Sequence, residues 1–269
     1  MKNLITVCIV NYNSSDFILN TLYCLKKITK NSYKVIIRDN NSILKDFLNL
    51  KKKIRNYSNV ELYRVDNFNY RGSLAHGIAI NDLLKKIDTK YGVILDADCT
   101  FLIKNWDEIL INEINNEYPI IGTQAPSSGN KPMDFPLMFA ILFDTEIMKN
   151  LHIDFAPSNP KEFKDTGYEL KKKYLQKGYK GKLLLDHNTR FYKLGPFKEL
   201  ICAEYYLNGY SHIFASHFGR GSTLGKAKYW NTKKRIFYKL PIIGSFLITQ
   251  KGKKEKKKWI KICKGIVDN

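Results

Sequence analysis

No stretch of about 18 apolar residues occurs in the sequence, so nothing in it predicts a bilayer-spanning helix. Cysteines are few: Cys8, Cys24, Cys99, Cys202 and Cys263. Their number is odd and no Cys-x-x-Cys pair is present, which argues against a disulfide framework and a zinc finger. A reducing compartment is the simpler expectation. Two phosphate-binding signatures are also missing. The lack of a Gly-x-x-x-x-Gly-Lys-Ser/Thr loop excludes P-loop nucleotide hydrolases. The lack of a Gly-x-Gly-x-x-Gly after a strand excludes the usual dinucleotide-binding domain. Met1-Lys2-Asn3 leads straight into an apolar run, with no charged leader, hydrophobic region and cleavage site, so a cytoplasmic chain is expected. Acidic residues are scarce, 25 against 45 Lys and Arg, for a formal net charge of +20. That imbalance predicts a polyanionic partner: nucleic acid, an anionic membrane or phosphorylated ligands.

What is present fits an ordinary globular chain. The 269 residues suit one large domain or two small ones, and 44% hydrophobic with 26% charged residues excludes a disordered or collagen-like protein. The positive charge is uneven. From Lys226 onward there are 14 Lys/Arg and 2 Asp/Glu. An apolar stretch from Leu240 to Ile248 lies between Lys233-Lys234-Arg235 and the lysine cluster at Lys251 to Lys258. It is too short to span a bilayer but suits an interface, with basic flanks for anionic headgroups. Two alternatives are a solvated tail or helix packed on the domain, and a nucleic-acid contact.

Residues 4–10 form a continuous apolar run, as in a strand buried on both faces. Ser14, Ser15 and Asp16 are candidate N-caps for a helix carrying Ile18, Leu22, Leu25 and Ile28. Val35-Ile36-Ile37 reads as a second strand, 43–55 as a lysine-rich helix, and Val60 to Val65 as a third strand. Leu74, Ile78, Leu84 and Ile87 mark a third helix, and Val93-Ile94-Leu95 a fourth strand. This alternation predicts an α/β domain with a central, mostly parallel sheet flanked by helices. Such sheets bind ligands beyond the carboxyl ends of their strands. There lie Asn11-Tyr12-Asn13, Asp39-Asn40-Asn41, Asn67 to Gly72, and Asp96-Ala97-Asp98. Asn, Asp, Ser and Gly also form turns for their own sake, but four such clusters at four strand ends argue for one shared site.

Asp96 and Asp98 stand two residues apart after a buried strand. Two ionised carboxylates that close repel unless a cation lies between them. Hard oxygen ligands suit Mg or Mn, and two aspartates leave coordination positions for water and phosphate oxygens. A metal-bridged diphosphate is the chemistry implied.

Val10-Asn11-Tyr12-Asn13, Asp39-Asn40-Asn41-Ser42, Asn69 to Gly77 with its Gly72/Ala75/Gly77 pattern, and Asp96-Ala97-Asp98 together resemble the GT-A glycosyltransferases, family 2 in particular. The resemblance covers residues 4–100 well and extends more loosely to about 220. It implies the GT-A nucleotide-diphospho-sugar transferase fold, with a nucleotide-binding half over 1–100, an acceptor-binding half over 101–225 and a basic extension over 226–269. By the same resemblance Asn11 and Asn13 line the nucleotide pocket, with Asn41 beside them. Asp39 accepts a hydrogen bond from the imide N–H of uracil or thymine. Asn69 and Gly72 belong to the stretch that approaches the donor. Asp96 sits near the ribose and metal, and Asp98 ligates the metal. His76 stands where the family often has Arg or Asn.

In the second half Ile120-Ile121-Gly122 reads as a short strand, Ala125 to Pro136 as a loop over the site and Leu137 to Phe143 as a strand. A helix follows over Thr145 to Leu151, residues 157–164 are loop, and a lysine-rich helix ends near Gly178. Asp165 precedes that helix. It is a cap, an acceptor contact or, by the resemblance, the base that deprotonates the acceptor hydroxyl. Glu169 and then Asp134 are its reserves. His217, in Ser-His-Phe-Gly-Arg-Gly-Ser, corresponds to a late histidine that completes metal coordination in GT-A enzymes, with His212 a weaker alternative. Arg220 is a candidate bidentate phosphate ligand or an exposed loop charge. Tyr205 and Tyr206 are candidates for stacking on an acceptor sugar.

The expected function is transfer of a sugar from a nucleotide-diphosphate donor, UDP before dTDP or GDP, to a glycan or lipid-linked saccharide acceptor. It would be metal-dependent and inverting, on a cytoplasmic enzyme peripheral to a membrane, with no nucleic-acid partner. The rivals are a nucleotidyltransferase on a similar fold, a non-catalytic basic binding protein, and a sugar-nucleotide-binding protein without activity.

Overall fold

The computed structural model describes residues 3–126, 131–157, 165–220 and 243–269. The first apolar run is β1 (Ile5–Asn11). It pairs in parallel with β2 (Tyr33–Asp39) and β4 (Tyr91–Leu95), and β2 pairs with β3 (Val60–Arg64). Alternation along the strands sorts their side chains onto two cores. Ile5, Val7 and Ile9 face α1 (Ser15–Ile28) and α2 (Leu44–Lys53), meeting Ile18, Leu22, Leu25 and Leu50. Cys8 and Ile36 face α3 (Gly72–Lys85) and meet Ile80 and Leu83. Helices on both faces explain why these strands read as unbroken apolar runs. Ser14 occupies the N-cap of α1, but its hydroxyl donates to the Tyr12 carbonyl instead of capping the helix.

Parallel pairing gives way after β4. β5 (Cys99–Phe101) and α4 (Trp106–Glu113) come first, then β6 (Ile120–Thr123), β7 (Leu137–Asp144), α5 (Thr145–Asn150) and α6 (Leu170–Gln176). They are followed by β8 (Gly181–Asn188), β9 (Ala203–Leu207) and β10 (Ala215–His217). Among the described residues the sheet runs β3-β2-β1-β4-β7-β6-β8-β9-β10-β5. β7 joins β4 antiparallel, β6 and β8 form a further parallel pair, and β8 to β10 continue antiparallel. The final pairing decides the site: β10 lies antiparallel to β5, with His217 opposite Cys99.

The chain ends in α7 (Ile243–Asp268), which lies against α1. Trp259 and Cys263 are fully buried and share a core with Phe17 and Cys24 of α1 and with Phe197 and Phe218. Trp259 meets Phe17 edge-on, 5.8 Å between centroids. Replacing a buried aromatic of this kind by alanine costs about 3–5 kcal/mol, so α7 is anchored to the α/β core. The boundary expected at 226, all of 226–242, the 157–164 loop beyond 157 and residues 127–130 of the 125–136 loop lie outside the described residues.

Candidate active site

A cleft of about 1090 Å³ opens beyond the carboxyl ends of β1, β2 and β4. Its walls include Tyr12, Asn40, Gly72, His76, Asp96, Asp98 and, from the second half, Lys131, Phe139 and Asp165. The turn after β4 is tight. The Asp96 N–H donates to the Phe139 carbonyl and the Cys99 N–H to that of Asp96, so both aspartates project where β4 ends. The β10–β5 register then delivers His217. Its Nε2 lies 3.3 Å from Asp98 Oδ1 and 3.6 Å from Asp96 Oδ2. Phe139 packs on the imidazole at 4.4 Å between centroids. From the other side His76 Nε2 comes within 3.5 Å of Asp96 Oδ1.

One potential ligand atom from each of Asp96, Asp98 and His217 falls within 4.8 Å of the others. Burial pushes the Asp96 carboxyl above its usual range, against the pull of His76 and His217, and Asp98 adds to the rise. Burial alone would lower His217, but Asp98 and Asp96 outweigh it and raise its affinity for a proton. Asp96 Oδ1 is buried without a hydrogen-bond partner. A buried carboxylate oxygen that accepts no hydrogen bond, a second aspartate and an imidazole form a donor set that fits a divalent cation with open positions.

Asp165 sits on the opposing wall. The loop carrying it is held to α3: Ser73 Oγ donates to Asp165 Oδ1 at 2.5 Å, and Thr166 Oγ1 to the Ser73 carbonyl at 3.0 Å. Lys131 forms an ion pair with Asp165 Oδ2. Burial would raise the Asp165 carboxyl, but Lys131, Ser73 and the Thr166 N–H outweigh it and hold it below the usual carboxylate range. Asp165 does not cap the following helix, because α6 begins at Leu170 with Glu169 at its N-cap. Of its reserves, Asp134 is exposed and paired with Lys171, while Glu169 accepts from the Tyr168 hydroxyl and the Asp154 N–H.

The residues expected around the nucleotide have other attachments. Asn11 and Asp39 are fully buried. Asp39 accepts from Asn11 Nδ2, the Ser42 N–H and Arg64 Nη1 at 2.7, 3.0 and 3.1 Å. Asn13, at φ 53°, exchanges hydrogen bonds with Ser42 and Ile43, and Asn41, at φ 57°, accepts from Arg64 Nη2. These side chains tie two strand-end loops together, and the cleft surface beside them comes from Val10, Tyr12, Ser14 and Asn40. Gly72, at φ 60°, lines the cleft, and Asn69 lies exposed ahead of it. Arg220 is neither an exposed loop charge nor on the cleft wall. Its guanidinium is buried, bound to Glu255 and the Ile201 carbonyl, while its backbone N–H donates to Asp98 Oδ2 at 2.7 Å. The stacking role expected of Tyr205 and Tyr206 is corrected: both are buried, Tyr205 in the core and Tyr206 against His187 with its hydroxyl on Glu204. His212 is exposed.

Sequence reasoning missed Lys131, Ser73, Arg64 and Asp186. The first three lack a distinguishing pattern, being a lysine among many, a helix-start serine and a strand-end arginine. Asp186, on β8, has a buried Oδ1 without a hydrogen-bond partner and is pushed by burial up to about 6, with His217 pulling it down.

A sheet of this order, with an acidic pair after β4 and a histidine returned to it by the last strand, defines a GT-A glycosyltransferase fold. The chain belongs to glycosyl transferase family 2, whose model matches residues 6–173. Among solved structures it is similar to the mannosyltransferase PcManGT from Pyrobaculum calidifontis in complex with GDP-Man and Mn2+. Identity is 14%, coverage 69% of this chain and 57% of that one, and the TM-score 0.53. It is also similar to residues 1–349 of S. aureus TarS, with 19% identity, coverage of 69% and 58%, and a TM-score of 0.48. The chain thus spans less than two thirds of either structure. No curated protein sequence matches it.

Proposed function

We propose that the protein transfers a sugar from a nucleotide-diphosphate donor, UDP before dTDP or GDP, to a hydroxyl of a saccharide acceptor, with inversion. The observation that carries this reading is the Asp96–Asp98–His217 cluster on the same cleft as Asp165. A divalent ion bound there would neutralise charge on the departing diphosphate. Asp98 and His217 are the residues to hold it, with Asp96 beside them and toward the ribose. Asn11, Asn13, Asp39 and Asn41 act on the nucleotide through the loop pair they fasten, and Asn69 and Gly72 border the donor.

Asp165 is the base. It takes the acceptor proton while the acceptor oxygen bonds to the anomeric carbon. The bond from that carbon to the phosphate oxygen breaks, and its electron pair leaves with the nucleoside diphosphate. A carboxylate held this low is a weak base, which suits proton removal concerted with attack. The GDP-Man bound by the similar mannosyltransferase PcManGT is compatible with a nucleotide-diphosphate donor. The basic face of α7 supports docking on an anionic membrane surface, where a lipid-linked acceptor would be met.

Calorimetry tests the reading. UDP should bind the protein in the presence of Mn2+, and Asp98→Ala should abolish that binding. Asp165→Asn should keep donor binding and lose turnover by at least a hundredfold. Absence of binding by UDP, dTDP and GDP alike would defeat the assignment.

A further inference from the structure

His217 lies far in sequence from Asp96 and Asp98, and the strand that returns it is three residues long. Such a short pairing is weakly held by its own backbone. Two contacts from α7 reinforce it. Trp259 Nε1 donates to Ser216 Oγ at 3.0 Å, next to His217, and that hydroxyl donates to the Ala203 carbonyl of β9 at 2.9 Å. Four residues earlier on α7, Glu255 pairs with Arg220. The Arg220 guanidinium also stacks on Phe218, 3.9 Å from the ring centroid. This segment closes on Asp98: the Phe218 N–H donates to the Asp98 carbonyl at 2.9 Å and the Arg220 N–H to Asp98 Oδ2 at 2.7 Å. Both contacts to α7 are buried or nearly so.

We propose that Glu255 and Trp259 are positioning residues for the metal centre: α7 is a strut that fixes β10 and the turn after it, so that His217 and Asp98 keep one spacing. The inference rests on the metal site of the proposed function. It goes beyond that reading by making a C-terminal helix, outside the residues 6–173 matched by the family model, a component of the site.

Mn2+ affinity reports the strut without relying on turnover. Free Mn2+ is followed by electron paramagnetic resonance in titrations of the full chain with UDP present. Glu255→Gln keeps the shape but removes the charge opposite Arg220. Trp259→Phe keeps an aromatic ring but removes the donor to Ser216, and serves as the second variant if E255Q does not fold. Either folded variant should bind Mn2+ about tenfold more weakly. Lys256→Gln, which breaks a pair from α7 to Asp16 away from β10, should bind as the wild type does. Wild-type affinity in both E255Q and W259F overturns the strut and leaves the metal site standing. A wild-type chain that binds no Mn2+ overturns both.

Discussion

Asp165 receives three donors, Lys131, Ser73 and the Thr166 N–H, and only Lys131 brings a full charge. Lys131 also lies over Phe139, 5.0 Å from the ring centroid, and Phe139 packs on His217, so one ammonium group stands beside both halves of the cleft. Its removal should be read in the acidic limb of the pH–rate profile. A carboxyl with a depressed pKa stays ionised down to lower pH, so the wild-type enzyme should keep activity well into acid. In Lys131→Gln the burial that raises Asp165 is opposed only by Ser73 and Thr166, so the limb should move to higher pH. A profile that falls in amplitude without moving would place Lys131 on the donor instead of on Asp165. Arg64 has a comparable role behind the strand-end loops, where it binds Asp39, the Ser42 carbonyl and Asn41 at once.

At the scale of elements, the seam between α3 and the Asp165 loop is close-packed backbone. The Phe155 carbonyl accepts from the Gly167 N–H, and a Cβ built on Gly77 would fall 2.3 Å from the same oxygen. Backbone cannot move aside as a flexible side chain can. Gly77→Ala should therefore destabilise the protein by about 1–3 kcal/mol, the usual cost of overpacking, measured as a lower denaturation midpoint with an unchanged m-value. The Gly72/Ala75/Gly77 pattern thus combines two demands: a positive φ at Gly72 facing the cleft, and close approach at Gly77 facing away from it.

The same contrast explains which elements were legible in sequence. β1, β2, β4 and α1 announce themselves because strands buried on both faces, and a helix with one apolar stripe, leave strong periodic signals. The Asp96/Asp98 pair was visible because it directly follows such a strand. β5, β9 and β10 are three to five residues long and take their form from pairing with one another, which a local pattern does not encode. His217 could be singled out in its Gly-rich loop, but its arrival beside Asp98 depends on the register with Cys99. Arg220 carried a charge that suggested phosphate, and only its contacts with Glu255 and Ile201 assign the side chain to packing.

For the whole molecule, the excess of cations remains to be placed. No described helix is long and apolar enough to cross a membrane. α7 divides its residues by environment: Trp259 and Cys263 turn inward, while Lys253, Lys254, Lys257 and Lys261 are exposed. At its start Phe246 and Leu247 are exposed as well, 62% and 37%. An anchored helix with lysines outward and two apolar side chains at one end has the chemistry of an interfacial contact. Each lysine near an anionic surface contributes about 1 kcal/mol. Replacing Lys253, Lys254, Lys257 and Lys261 by glutamine should then lower partitioning onto phosphatidylserine-containing vesicles by roughly two to three orders of magnitude at low salt. Phe246→Ser with Leu247→Ser should weaken binding at all salt concentrations, because burial of apolar area is not screened. The lysines are exposed and take no part in the contacts of α7 with Ser216 and Arg220, so Mn2+ affinity should be unchanged in the quadruple variant. Flotation with neutral and anionic vesicles separates the outcomes. Equal flotation of wild type and quadruple variant would remove the basic face of α7 as a membrane contact and leave its inner face as the part that matters.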